Sequence, residues 1–174
     1  MPRDGLLYTQ TKPGDRGDLW FLPMTGDKKA SPTPFVTTRF TETFARFSPD
    51  GRWVAFRSDQ TGQFEIHVAS FANAENTVRV STTGGTWPRW RRDGKELFYI
   101  DDAGKLVAAE VDGQGATFKV LRTQPLFTMR ASGRSPYDVS ADGQKFLVNA
   151  TPEGEAALGP PITVVLNWPA VLKK

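Results

Sequence analysis

The chain has no cysteine and a single histidine among its 174 residues. Without cysteine, the sequence excludes disulfide bonds, thiolate-bound metals and a nucleophilic thiol. Any Ser-His-Asp triad would have to use His67, and no Gly-x-Ser-x-Gly sequence is present to hold the serine. With one histidine, other metal sites could use oxygen ligands only. The sequence therefore predicts no catalytic residue, no metal site and no cofactor.

Long apolar runs and a strong charge imbalance are also missing. No run approaches the roughly 20 apolar residues that span a bilayer, so this segment is not expected to insert into a membrane. The net charge is +3, from 22 Lys and Arg against 19 Asp and Glu. This small excess does not indicate nucleic-acid binding. The densest basic group, Arg89, Arg91, Arg92 and Lys95, is interpreted as a solvated turn, and a rim for anionic ligands is the alternative.

Four Asp-Gly pairs, each followed by a short apolar strand, recur at intervals of 46, 43 and 49 residues. The pairs are Asp4-Gly5, Asp50-Gly51, Asp93-Gly94 and Asp142-Gly143. Each pair predicts a tight turn, because glycine accepts a positive φ and aspartate bonds back to nearby backbone. Repetition at about 40 to 50 residues with several strands per unit is typical of β-propeller blades. A β-sandwich is less favoured, since its strands are not copies of one unit.

A complete repeat contains the signals of four strands. Alternating apolar residues before the turn, as at Ala45 and Phe47, predict a strand with one buried face. The nearly all-apolar strand after the turn, as at 53–56, predicts burial on both faces. Third strands are predicted at 19–22, 64–68, 106–109 and 162–166, and a fourth strand at 77–80. The predicted fold class is therefore all-β, built from four-stranded antiparallel propeller blades.

The repeats predict one propeller segment over residues 1–174. Its units run at approximately 1–43, 44–86, 87–135 and 136–168, followed by a tail at 169–174. The first unit lacks the strand before its turn, and the last ends after its third strand. We therefore expect an incomplete part of a ring of about six to eight blades. The remaining blades are expected from the upstream chain or from a second copy, and closure as a four-bladed ring is the further alternative.

Three residues are considered for a functional role. His67 occupies the third-strand position that Trp20 and Val107 hold in other repeats, which predicts a packing role. Trp87 and Arg89 are the candidate ligand-binding residues, because they lie on a predicted inner strand beside the run 83–85. The expected partner is a protein or a small ligand at the mouth of the propeller channel. Packing between blades is the alternative role for the tryptophans.

The repeats resemble those of a known family. Residues 47–56 and 137–143, which read FSPDGRWVAF and YDVSADG, are similar to the WD-repeat-like blades of TolB-type propellers. A closer resemblance is to the C-terminal propeller of large bacterial serine/threonine protein kinases. It rests on the run GGTWPRWRRDGKELFY at 84–99, the ending ITVVLNW at 162–168 and the final residues 172–174. That family places a kinase domain and a membrane-spanning helix before the propeller, which implies an extracytoplasmic location.

The resemblance does not carry kinase activity onto these residues. The sequence has no Gly-rich phosphate loop, no His-Arg-Asp loop and no Asp-Phe-Gly metal site. The prediction is a non-catalytic binding or sensor module, which forms the C-terminal part of such a kinase. The alternatives are a free-standing TolB-like scaffold fragment of the cell envelope and an accessory propeller of a hydrolase.

Overall fold

The computed structural model describes residues 5–11, 16–24, 30–129 and 136–149, together with the backbone of 162–166. All regular elements in this part of the chain are β-strands. They are β1 (Gly5–Thr11), β2 (Gly17–Pro23), β3 (Thr33–Val36), β4 (Glu42–Phe47), β5 (Trp53–Ser58), β6 (Glu65–Ser70), β7 (Thr77–Arg79), β8 (Thr86–Trp90), β9 (Glu96–Ile100), β10 (Lys105–Asp112), β11 (Lys119–Thr128), β12 (Tyr137–Val139), β13 (Lys145–Asn149) and β14 (Ile162–Leu166).

The strands form four antiparallel sheets that follow one another along the chain. Their orders are β1-β2-β3, β4-β5-β6-β7, β11-β10-β9-β8 and β12-β13-β14. Each strand pairs only with its neighbours in sequence, so every sheet is a meander. This arrangement confirms the predicted all-β class and the four-stranded antiparallel blade. In the described residues the first sheet starts with the strand that follows Asp4, and the last sheet holds three strands.

Three of the four Asp-Gly pairs form the predicted turn. Their glycines have left-handed φ angles: 73° at Gly51, 74° at Gly94 and 73° at Gly143. The Oδ1 of Asp50 accepts hydrogen bonds from the Ser48 hydroxyl at 2.5 Å and from the Arg52 backbone N–H at 3.1 Å. The carboxylate of Asp142 accepts the equivalent pair of bonds. These aspartates are therefore occupied within their own turns.

The first pair differs from the other three. Asp4 lies outside the described residues, and Gly5 is the first residue of β1. The φ of Gly5 is not in the left-handed region, so the glycine is not needed for a turn. A Cβ at this position would overlap the ring of Phe21 on the paired strand β2. Glycine is favoured here because it leaves room for that ring.

The hydrophobic core lies between neighbouring sheets. Val54 and Phe56 of β5 pack toward the first sheet, whereas Trp53 and Ala55 pack toward the third. The strand β9 divides its side chains in the same way between the second and fourth sheets. The strands β5 and β9, which follow the second and third turns, are therefore buried on both faces, as the nearly all-apolar sequence predicts. The equivalent strand β13 instead alternates between buried and exposed residues.

Candidate functional site

The first strands of the second, third and fourth sheets lie side by side. Each of β4, β8 and β12 is an edge strand of its own sheet, and β8 contacts both of the others. The indole Nε1 of Trp90 donates a hydrogen bond to the backbone oxygen of Arg46 at 3.1 Å. The hydroxyl of Tyr137 donates to the backbone oxygen of Trp87 at 2.8 Å. These bonds tie the three strands, which we call the inner strands, into one surface.

Two inner strands carry the same irregularity. Phe44 on β4 and Trp87 on β8 each precede the glycine of their turn by seven residues, and both have φ of 56°. In both strands the register of pairing with the next strand shifts at the aromatic residue. The two rings stack on each other with centroids 3.9 Å apart and planes at 29°. A positive φ is uncommon for bulky residues, so its recurrence marks these positions.

An arginine extends this aromatic stack. The Cζ of Arg57 lies 3.4 Å from the ring centroid of Phe64 and 5.6 Å from that of Phe44. Burial lowers the pKa of Arg57, while the charges of Asp102 and Asp59 act in the opposite direction. The Nε of Arg57 is buried, and none of the described residues accepts a hydrogen bond from it. The two aromatic rings therefore contribute to holding the guanidinium.

Arg89 lies two residues beyond Trp87 and faces the fourth sheet. Its Nε is 3.8 Å from Oδ1 of Asp138, and the side chains of these two residues are 11% and 74% exposed. Its Cζ is 5.8 Å from the ring centroid of Tyr137, whose pKa is raised by burial. The two sequence-predicted site residues therefore share β8 but have different surroundings. Trp87 stacks on the second sheet and also packs against the core between the third and fourth sheets, whereas Arg89 approaches the fourth sheet.

Two further residues join this surface that the sequence analysis did not select as ligand candidates. Arg46, Arg89 and Asp138 each stand five residues before the glycine of an Asp-Gly pair, on β4, β8 and β12. We call these three residues the inner-strand charged row. Aligning the repeats on the turn glycine would have placed Arg46 and Asp138 beside Arg89. The sequence signal for this row is weak, because Asp138 is opposite in charge to the two arginines and no apolar pattern marks the three positions.

His67 and the basic group at the third turn, the other residues considered from the sequence, are held by contacts within the fold. His67 is 1% exposed, and its Nδ1 lies 2.8 Å from the Gln60 side-chain nitrogen. The basic group near the third turn is partly neutralised, because Arg91 pairs with Asp93 at 2.7 Å and with Glu96 at 2.9 Å.

Within the described ranges, no three His, Asp or Glu side chains form a group that could hold a metal ion. The same part of the chain contains no helix of the length and apolarity needed to cross a bilayer.

A buried carboxyl group lies at the start of β4. Glu42 is fully buried and accepts a hydrogen bond from the Thr38 hydroxyl at 2.6 Å. A second hydroxyl, that of Ser58, lies 3.5 Å away, while Oε2 of Glu42 has no partner among the described residues. Burial is the main cause that raises the pKa of Glu42, and Asp18 raises it further. The folded protein therefore retains the Glu42 proton at a pH where the unfolded chain has lost it.

We expect Glu42→Gln to remove a pH-dependent loss of stability. Because the pKa of Glu42 is raised in the folded state, the folded protein binds more protons than the unfolded chain above the ordinary value of 4.5. The free energy of unfolding contributed by this residue therefore falls as the pH rises from 4.5 toward neutrality. Urea unfolding of both proteins at several pH values between 4 and 7 measures the difference. A difference between the two proteins that stays constant with pH would contradict this assignment.

No protein-family model and no curated protein matches the chain, but solved structures do. TolB from Acinetobacter baumannii is similar with a TM-score of 0.64 and 16% identity, covering 94% of this chain and 38% of TolB. A chain of the nidogen/laminin complex is similar with a TM-score of 0.60 and 14% identity, and the match covers 93% of this chain and 57% of that one. The Cps50 (Swd1) β-propeller domain of Myceliophteria thermophila is similar with a TM-score of 0.58 and 10% identity. This match covers 84% of this chain and 48% of that domain. This chain thus spans less than two thirds of each.

These likenesses and the four meander sheets define the class of protein: the chain has the β-propeller fold. Its blades are similar in form to those of TolB-like and WD40 propellers, and the four sheets are consistent with part of a ring. At identities of 10% to 16% the likeness establishes the fold alone.

Proposed function

We propose that this chain is a non-catalytic binding module that presents its inner strands to a protein or a small ligand. One observation carries the proposal: the Phe44–Trp87 stack lies beside the charged row on three adjacent inner strands. Aromatic residues and arginine dominate the energetics of binding surfaces. A residue held at an unfavourable φ costs about 1–3 kcal/mol, and two equivalent aromatics bear this cost. Such strain is typical of functional positions.

The surroundings of the titratable groups support a binding role over a catalytic one. The only histidine is buried against Gln60 and Phe56, where it does not reach an exposed substrate. The three turn aspartates in the described chain accept hydrogen bonds within their own turns. One similar structure is a complex of two proteins, nidogen and laminin, which favours a protein as the partner.

The double variant Trp87→Ala/Arg89→Ala is expected to weaken partner binding by at least about tenfold, as for the loss of a central contact residue. The measurement is the dissociation constant for each partner recovered from the native cell extract. Leu121→Ala/Arg122→Ala is the matched control, because both side chains are exposed on the outer strand β11. Trp87→Phe keeps a ring in the stack and should retain more affinity than Trp87→Ala.

Circular dichroism and urea unfolding of each variant separate a loss of binding from a loss of folding. A folded double variant that binds every recovered partner as tightly as the unchanged chain would refute the proposal. Equal weakening in the β11 control would also refute it, because binding would then not depend on the inner strands.

We further propose that the segment is the C-terminal part of a bacterial serine/threonine protein kinase, outside the cytoplasm, in a ring of about six to eight blades. The support is the sequence resemblance at 84–99 and 162–168. The alternatives are a TolB-like scaffold of the cell envelope and the accessory propeller of a hydrolase. Sequencing the native locus upstream of the Met1 codon distinguishes them. Kinase motifs and a membrane helix in frame support the first, a signal peptide the second, and a hydrolase domain the third.

A further inference from the structure

We propose that the groove between the first and second sheets binds a lysine side chain of a protein partner. The groove has a volume of about 460 Å³, which is within the range of ordinary ligand sites. Phe35 and Val36 of β3 line it from the first sheet, and Thr77 of β7 lines it from the second. None of its lining residues belongs to the inner strands. This site is therefore separate from the binding surface proposed above.

Buried groups hold the polar walls of the groove in place. Thr38 and Gln60 both line it. The hydroxyl of Thr38 donates a hydrogen bond to Oε1 of the buried Glu42 at 2.6 Å. The side-chain nitrogen of Gln60 lies 2.8 Å from Nδ1 of the buried His67 and donates to Oγ1 of Thr77 at 3.2 Å. Because these walls are already ordered, a ligand loses less free energy in fixing them.

The polar groups that remain are suited to a ligand that donates hydrogen bonds. The side-chain nitrogen of Gln60 is engaged with His67 and Thr77, while its Oε1 accepts no hydrogen bond from a described residue. Glu75 adds a carboxylate that forms no ion pair within the described part of the chain. Its backbone is fixed, since the Glu75 N–H donates to Oδ1 of Asn73 at 3.1 Å.

The charge of the lining favours a cation. Glu75 is exposed, and it is the only charged residue among those that line the groove. Arg39 and Arg79, which follow two of the lining segments in the sequence, are not part of the lining. A carboxylate or a phosphate would be repelled by Glu75, whereas an ammonium group would pair with it.

Apolar residues in the lining favour lysine over a compact cation. They are Phe35, Val36, Ala72 and Ala74. The lysine side chain has an apolar four-carbon stem and an ammonium with three donors, so its stem can cover these residues while its ammonium meets Glu75. A lysine side chain also carries one charge, which matches the single carboxylate, whereas a free diamine carries two. A protein is therefore the favoured source of the ammonium group.

The test follows the ring signals of His67 by NMR while capped peptides are added to the 174-residue chain at neutral pH. Gln60 connects this ring to the groove, and the only histidine of the chain gives unambiguous signals. The probes are pentapeptides of alanine with a central lysine, norleucine or glutamate, together with free cadaverine. The lysine peptide should shift the His67 signals saturably, and the other two peptides should not. The indole signal of Trp90, on the inner strands, is the internal control.

A pair of glutamate variants tests the role of the carboxylate. Glu75→Gln should weaken the binding of the lysine peptide about fivefold, because it removes the only charge of the lining. Glu110→Gln is the matched control, because this surface glutamate is paired with Arg122 on the third sheet. Its replacement should leave the affinity for the lysine peptide unchanged. Urea unfolding of both variants checks that they are folded.

Several results would overturn this inference. Equal affinity for the lysine and norleucine peptides would show that the ammonium group is not recognised. Unchanged affinity in Glu75→Gln, or an equal loss in Glu110→Gln, would show that Glu75 is not its partner. Tighter binding of cadaverine than of the lysine peptide would make a small amine the ligand in place of a protein.

This inference and the proposed function can fail separately. The double variant Trp87→Ala/Arg89→Ala should bind the lysine peptide as tightly as the unchanged chain, because neither residue lines the groove. If the lysine peptide does not bind but partner affinity depends on Trp87 and Arg89, the groove site is refuted and the inner-strand surface remains. If the lysine peptide binds while the double variant keeps every partner, the inner-strand surface fails and the groove site stands.

Discussion

Replacing Phe146 with alanine is expected to lower the free energy of unfolding by about 3–5 kcal/mol. Phe146 is fully buried on β13, between the third and fourth sheets. Its ring meets those of Phe98 at 5.1 Å and Phe127 at 5.7 Å, both edge to face. Truncation to alanine removes these contacts and leaves a cavity at the contact between two blades. Because each unit of a repeat protein is stabilised by its neighbours, the fourth sheet should be affected most.

Leu147 provides the matched control for this experiment. It is the next residue on β13 but is 46% exposed, because neighbouring residues of a strand face opposite ways. Leu147→Ala should change the free energy of unfolding by about 0.5 kcal/mol or less, as is usual for surface positions. Urea unfolding of the three proteins gives the comparison. Equal losses in both variants would mean that Phe146 is not at the centre of the contact.

The regular part of this fold is predictable because its signals are local. The turn at Asp50-Gly51 depends on the φ of one glycine and on hydrogen bonds within five residues. The residues that follow are apolar on both strand faces because a sheet lies on each side. The sequence contains both signals, so strand order, turns and fold class follow from it.

The irregular features of the fold and the makeup of the inner-strand surface depend on contacts between strands and blades. No local sequence pattern predicts these contacts. Gly5 is at its position because the Phe21 ring of the next strand needs the space. The left-handed φ of Phe44 and Trp87 accompanies their stacking across two sheets, and neither residue type prefers that conformation. Trp87 and Arg89, the candidates chosen from the sequence, both lie on the inner strand β8, and their role in binding stays a prediction. The partners Phe44 and Asp138 became evident only when the inner strands were placed side by side.

His67 should titrate with an apparent pKa of about 4, far below its ordinary value of 6.5. Burial is the largest cause, because the charged imidazolium would lose its hydration between β5 and β7. The charge of Glu65 opposes this effect, and that of Arg79 adds to it. Since His67 is the only histidine of the chain, its NMR ring signals can be assigned without ambiguity. A midpoint near 6.5 would mean that the ring is solvated.

The same depressed pKa of His67 predicts acid destabilisation. The unfolded chain takes up a proton at pH values near 6.5, whereas the folded protein does not until about pH 4. The stabilisation by neutral His67 is therefore complete above pH 6.5 and is lost as the pH falls toward 4, by about 3 kcal/mol in total. Glu42 acts in the opposite direction over part of this range, so the two must be measured separately. His67→Gln should abolish the His67 contribution and keep that of Glu42, and an unchanged pH dependence of the unfolding free energy would contradict the assignment.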